Sequence, residues 1–455
     1  MKVLLANSTC KVGGVSTFML ALRSALLAQG HECELFFFER GTMEARLPAG
    51  CPVRFGTLAD CLELVDSGRF AVVHANNVDW TTGISAVREI GARLIVTAHK
   101  SREGAWTYGW TRRNCDQFTA VSQGVAARLQ PFTDLPIHVV YNGIDLSRFS
   151  QRQPVGAAAS AAPIVAWIGR SGSPLKGFDK LAAIAPHLRS GGARLWVIDQ
   201  HGPERAREAY PAAAAALAPC VERWDSVESG LMPDLYGEIA ASGGCVLSTS
   251  VAEGLPLALL EAQASGCLAI ASDVAGNEEA VLPSHGGIRY RLETDGRAIA
   301  ALVMAALADR AQVRARQQAA AAHVRGRFGI ERMAREYAAL YRGEGTVDVP
   351  RLAWRARVRG TLRLSPLHWR GYVEHRLGVG YAQLNASRAL TAAGHTRLAA
   401  GAGLAAMRTS PTMFFRPARL AHLVRVLRRD GVDHQQRLVV GGHDTGTVSR
   451  VEDLR

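Results

Sequence analysis

VLSTSVAEGLPLALLEAQASGCLAIASDVAGNEEAV, residues Val246 to Val281, reads as strand, loop, helix, strand and loop. Val246 to Thr249 is an apolar run too short for a helix of its own. Ser250 to Gly254 is a loop, and Pro256 suits a first helical turn, where its missing N–H costs nothing. Leu257, Leu260, Glu261 and Ala264 follow at helical spacing, Gly266 stops the helix, and Cys267 to Ala271 is the next buried strand. A strand–helix–strand unit of this length is the crossover of a parallel sheet, so the chain is expected to be α/β.

Two carboxylates mark this unit. Glu253 lies in the loop at the strand's carboxyl end, and Glu261 lies about two turns into the helix. Ligands of open α/β sheets sit beyond the carboxyl ends of the strands. The amides of Gly254 and Leu255 are expected to point out of the helix N-terminus there, a place suited to an anion. A carboxylate beside an anion repels it, so Glu253 is read as an acceptor for neutral hydroxyls, such as those of a sugar. Spacing alone also admits two solvated glutamates, one of them a helix N-terminal charge.

The segment resembles the E-x7-E signature of the family 4 retaining glycosyltransferases, which have the GT-B fold. Ser250, Glu253, Gly254, Pro256, Glu261, Ala262, Gly266, Gly276 and Glu279 fall in that family's order. The resemblance implies that Glu253 meets hydroxyls of the donor sugar and Glu261 the ribose of the nucleotide. It implies no cofactor; the donor substrate is a UDP-, GDP- or other nucleoside-diphosphate sugar.

Upstream, Ile164 to Gly169 is a strand followed by GRSGSPLKGFDK, in which Arg170 and Lys176 stand on a glycine- and serine-rich loop. Two such cations suit a diphosphate, although a solvated basic loop reads the same way. The chain has only five lysines, which makes Lys176 beside Gly177 informative. The family's GR…KG pattern assigns both cations to the donor diphosphate. Leu195 to Asp199 is the next strand, after which Gln200 and Asp225 stand where the family usually has glycine. These departures touch the base and the fine geometry, not the fold.

Further upstream, Lys2 to Ala6 is a first strand, Cys10 to Ser16 a glycine turn and Thr17 to Gln29 a helix. Gly13 and Gly14 let the backbone approach a phosphate or a sugar, and they match the family's first glycine loop. Cys33 to Phe38, Ala71 to His74, Leu94 to Ala98 and Phe118 to Ser122 are further strands. His99 ends LIVTAHK; a histidine there is often structural, but the resemblance sets it against the transferred sugar. The segment Lys100 to Arg113 interleaves Trp106, Tyr108 and Trp110 with basic residues, which suits an acceptor or membrane contact, although the rings could equally be core. Asn142-Gly143 resembles the stretch that closes the family's first domain, and Gln151 to Pro163 reads as a linker.

The expected architecture is two Rossmann-like domains facing across a cleft, plus a C-terminal helical extension. The N-terminal, acceptor-side domain covers residues 1–155 and the nucleotide-sugar domain residues 161–327. A closing helix over residues 328–342 returns to the first domain, and a basic helical extension covers residues 346–455. The 455-residue chain has a net charge of +13, and residues 346–455 hold 18 arginines, no lysine and seven acids. Such a tail seeks an anionic partner. Helices are read over Tyr381 to Leu390, His395 to Met407 and Pro417 to Arg429. In the last, Leu420, Leu423, Val424 and Leu427 form an apolar stripe with Arg419, Arg425, Arg428 and Arg429 mainly off it. That stripe suits an anionic membrane surface or packing within the extension. No nucleic-acid motif is present.

No CxxC pair occurs among the eight cysteines, no DxD triplet occurs, and no apolar run nears the length of a membrane span. The expectation is a metal-independent retaining hexosyltransferase, cytoplasmic or peripheral on the inner face of the membrane. Its acceptor is expected to be a glycan or lipid-linked glycan, in cell-envelope or exported polysaccharide synthesis. The resemblance implies front-face attack, with the leaving phosphate taking the acceptor proton. Alternatives are a sugar-nucleotide epimerase on the same fold, or a silent scaffold tethering a complex at the membrane.

Overall fold

Short apolar runs bounded by glycine turns cannot bury both faces as helices, and here they become the inner strands of two parallel sheets. The computed structural model describes residues 1–79, 82–100, 110, 114–133, 135–151, 162–344, 380–410 and 418–427. The first sheet holds β1 (Lys2–Thr9), β2 (Glu32–Glu39), β3 (Val53–Phe55), β4 (Val72–Asn76), β5 (Arg93–Ala98), β6 (Gln117–Ala120) and β7 (Ile137–Val139). Its order is β3-β2-β1-β4-β5-β6-β7. The second holds β8 (Ile164–Gly169), β9 (Arg194–Asp199), β10 (Val221–Asp225), β11 (Cys245–Ser248), β12 (Leu268–Ser272) and β13 (Ile288–Tyr290), in the order β10-β9-β8-β11-β12-β13. Every pairing is parallel. Strand order reverses at β1/β4 and again at β8/β11, and crevices open beyond the carboxyl ends at such switch points. Strands β3, β7 and β13 went unread because three residues show no periodicity.

The helix Ile330–Arg342 leaves the second domain and packs on the helix Gly14–Ala28 of the first. Met333, Ala334, Tyr337, Ala338 and Tyr341 share one core with Val3, Leu5, Phe18, Met19 and Leu22. A buried polar chain ties this helix down. The Tyr341 hydroxyl lies 2.7 Å from His74 Nδ1, His74 Nε2 lies 2.6 Å from Thr97 Oγ1, and Thr97 Oγ1 lies 2.6 Å from Thr119 Oγ1 and 3.1 Å from the Tyr337 hydroxyl. Burial pushes the His74 imidazole down to about 3, so it is neutral.

The C-terminal extension forms helices over 380–392, Thr396–Thr409 and 418–427. They sit on the first domain. A Cβ at Gly83 would come within 2.8 Å of the Ala382 carbonyl and the Ala386 amide, and His395 Nε2 lies 3.4 Å from Asp66 Oδ2. The apolar stripe is divided. Leu423 is buried and Leu427 packs beside it, whereas Leu420 and Val424 are 45% and 40% exposed. Trp110 is fully buried in the first domain's core, which decides for the core side of the two readings of that ring; Trp106 and Tyr108 lie outside the described residues. No helix among the described residues is long and apolar enough to cross a membrane.

Candidate functional site

The two switch points face each other around one cavity of about 650 Å³. Its lining includes Gly13 and Gly14 after β1, His99 after β5, Arg170 and Lys176 after β8, and Glu253, Gly254 and Leu255 after β11. Eight of the nine residues singled out in the sequence therefore meet in one place. Glu261 is the exception: it stands one turn beyond Leu257 and Ala258, which do line the cavity.

Lys176 is held by its backbone. It ends the single turn Pro174–Lys176, and Gly177 follows at φ +61°, which glycine adopts without strain. A Cβ at Gly177 would collide with the Thr249 carbonyl oxygen. Thr249 Oγ1 donates to the Lys176 carbonyl (2.9 Å), and the Val251 amide donates to the Leu175 carbonyl (2.9 Å). The loop after β8 is thus laced to the loop after β11. The result is an ion pair, Lys176 Nζ to Glu253 Oε1 at 2.5 Å, both side chains mostly buried. Ser250 Oγ donates to the same carboxylate oxygen at 2.7 Å.

His99 is oriented by a residue that sequence reading missed. Asn76, at the carboxyl end of β4, donates through Nδ2 to the His74 carbonyl (3.1 Å), which fixes its amide with Oδ1 towards His99 Nε2 at 2.8 Å. That oxygen only accepts, so Nε2 carries the proton and Nδ1 keeps its lone pair. Burial, with the nearby Lys100 charge, pushes the His99 imidazole down to about 3. A polar residue ending the strand beside that of His99 was the available signal for Asn76.

Two expectations are corrected in detail. The helix begins at Leu257 with Pro256 as its cap, so the free first-turn amides are those of Leu257 and Ala258, not of Gly254 and Leu255. Gly254 serves close approach instead: a Cβ there would collide with the His99 carbonyl oxygen of the opposite domain. The first helix starts at Gly14, not Thr17, so Gly13 is its cap and the glycine turn is itself the helix N-terminus. Arg170 of the second domain reaches this turn, its Nη1 lying 3.8 Å from where a Cβ at Gly13 would stand. Glu261 is partly accessible, and its Oε2 accepts from the Tyr236 hydroxyl at 3.2 Å. Burial pushes its carboxyl up to about 7, the Tyr236 hydrogen bond and the Arg148 charge restraining the shift.

The domains meet at a second place. Glu279, from the second domain, accepts from the Gln123 amide (2.8 Å) and the Gly124 amide (2.7 Å), which open the helix Gln123–Leu129 of the first.

A family model described as Glycosyltransferase Family 4 matches residues 12–148, and one described as Glycosyl transferases group 1 matches residues 162–309. The chain belongs to the family 4 glycosyltransferases of GT-B fold. This glycosyltransferase resembles solved structures over 75% of its length: a sucrose-phosphate synthase from Thermosynechococcus elongatus (19% identity, 99% of that chain, TM-score 0.60), a glycosyltransferase from Rickettsia africae ESF-5 (16%, 98%, 0.63) and Anabaena HepE in complex with UDP-glucose (17%, 100%, 0.61). At such identities the likeness speaks for the fold alone. No curated protein matches the glycosyltransferase.

Proposed function

We propose that the protein transfers a hexose from a nucleoside-diphosphate sugar to a hydroxyl of a glycan or lipid-linked acceptor, with retention of the anomeric configuration and without a metal. The observation that carries this reading is the convergence of Arg170, the Lys176–Glu253 pair and His99 on one cavity between two switch points. The bound UDP-glucose named for Anabaena HepE supports a donor of this class. Arg170, Lys176 and the amides opening the helix at Leu257 supply positive potential for the departing diphosphate. Glu253 accepts from donor hydroxyls. His99, neutral and held by Asn76, presents an acceptor nitrogen rather than a charge. Front-face attack forms the bond from acceptor oxygen to anomeric carbon as the bond to the phosphate breaks, and the phosphate oxygen takes the proton. Synthesis of envelope or exported polysaccharide at the inner membrane face fits the exposed Leu420 and Val424 beside the basic extension.

The test is release of nucleoside diphosphate from a panel of sugar donors, with and without a lipid and glycan extract, in EDTA and in Mg²⁺. Acceptor-dependent release that survives EDTA, with an α-linked product from an α-donor by NMR, is the expected outcome. Loss in EDTA that Mg²⁺ restores removes metal independence, and an inverted product removes retention. Interconversion of free sugar nucleotides without transfer would assign an epimerase instead.

A further inference from the structure

The two walls of the cavity differ in charge. The second domain contributes cations and carboxylates, Arg170 and Lys176 with Glu228 and Glu253. The first domain contributes Lys11, Arg46 and Lys100, and no carboxylate among its described lining residues. Lys11 and Arg46 come from separate loops, after β1 and β2, that are tied together. The Met43 amide donates to the Cys10 carbonyl (2.9 Å), the Val12 amide donates to Thr42 Oγ1 (3.2 Å), and a Cβ at Gly41 would crowd the Cys10 carbonyl oxygen at 2.5 Å. The acid of that loop is already engaged, since Glu44 accepts from Arg40 (2.5 Å) and from the Gly41 amide (2.9 Å).

Position separates Arg46 from the cations of the donor, and Lys11, two residues before Gly13, is tied to its loop by the contacts above. Arg170 follows β8 at the switch point and reaches Gly13. Arg46 hangs from the loop after β2, one strand outward from the switch point of its own sheet. Lys11 and Arg46 are both exposed where they line the cavity, and cations lining a cleft raise the local concentration of an anionic ligand rather than of a neutral one.

We propose that the acceptor carries an oxyanion, a phosphate or a carboxylate, and that Lys11 and Arg46 bind it. This rests on the glycosyl-transfer reading above and names its acceptor class. Guanidinium and ammonium groups on tied loops suit either oxyanion, and charge-assisted contacts of this kind weaken with salt.

The test loads the full chain with whichever of UDP, GDP or ADP binds it, then titrates glucose, glucose 6-phosphate and glucuronate by calorimetry at low and high salt. The expected result is that at least one charged sugar binds roughly tenfold or more tightly than glucose. The advantage shrinks in salt and disappears in the Lys11→Gln, Arg46→Gln double variant, which keeps the wild-type affinity for nucleoside diphosphate and so proves folded. Phosphate and carboxylate arms identify which oxyanion is preferred. Equal binding of all three sugars by wild type overturns the proposal. So does a double variant that loses nucleoside-diphosphate affinity as a folded protein by circular dichroism, because the cations then serve the donor. Binding of no nucleoside diphosphate removes the donor reading, and the proposal with it.

Discussion

Lys176 and Glu253 pair with each other at 2.5 Å, so under the proposed function a donor diphosphate has to compete with Glu253 for the ammonium. On that reading, Lys176 turning to phosphate releases Glu253 to accept from sugar hydroxyls. The two variants should therefore differ in sign. Lys176→Ala is expected to weaken free nucleoside-diphosphate binding by roughly ten- to a hundredfold. Glu253→Gln is expected to bind the same ligand at least as tightly as wild type while transfer collapses. Calorimetry beside turnover checks this, and a Glu253→Gln protein that loses nucleotide affinity as Lys176→Ala does would refute the competition.

Glu261 gives a pH test. Its folded carboxyl is raised to about 7, so the folded chain holds this proton more tightly than the unfolded one. Its contribution to stability is favourable at low pH and declines as pH climbs from about 4.5 towards 7. Glu261→Gln is thus expected to raise the thermal midpoint of the ligand-free protein by roughly a few degrees at pH 8 and to leave it unchanged at pH 4. Buried His99 and His74 act in the opposite sense. Both are pushed down to about 3, so the unfolded chain binds their protons first, and stability falls as pH drops below about 6.5.

At the scale of elements, the loop after β11 packs its backbone against that of the first domain at His99. Gly254→Ala would drive a methyl group into the His99 carbonyl, and the domains must part to accept it. The expected outcome is a larger radius of gyration by small-angle scattering and a loss of transfer on the order of a hundredfold, with native secondary structure kept. An unchanged radius with full activity would mean that the contact is not maintained in solution. The loops that line the cavity were legible because buried strands announce themselves and the lining residues follow their carboxyl ends: Gly13 after β1, His99 after β5, Arg170 after β8 and Glu253 after β11. What stayed hidden needs two elements at once. Asn76 matters only because β4 lies beside β5 in the sheet. Gly254 was read for its amide, but its constraint comes from the opposite domain. Trp110 stayed open between contact and core because rings interleaved with arginines look alike whether they face solvent or fill a core. The stripe on the last helix was real as a pattern, but the neighbouring helix takes Leu423 and leaves Leu420 and Val424 outside.

At the scale of the molecule, the extension both covers the first domain at Gly83 and presents apolar and basic groups outward. Co-sedimentation with vesicles separates these roles. The full chain is expected to bind anionic vesicles, less so in salt, and hardly to bind neutral ones. Leu420→Ser with Val424→Ser is expected to reduce that binding without lowering the thermal midpoint, because both side chains lie outside the packed face. Undiminished binding by this variant would place the membrane contact elsewhere.

The chain from Tyr341 through His74 to Thr97 has a consequence for the order of events on the ribosome. The middle strands of the first sheet find their last buried partners, Tyr337 and Tyr341, only after the whole second domain has been made. The first domain therefore emerges with His74 Nδ1 lacking its Tyr341 partner, with Thr97 lacking Tyr337, and with the apolar face of Phe18, Met19 and Leu22 open. Such a nascent intermediate is sticky until the closing helix arrives. A fragment of residues 1–151 is expected to aggregate alone and to become soluble when a peptide of residues 328–344 is added in trans. Solubility restored in this way would make the closing helix a built-in chaperone for the domain synthesised before it, and a fragment that stays soluble alone would refute that role.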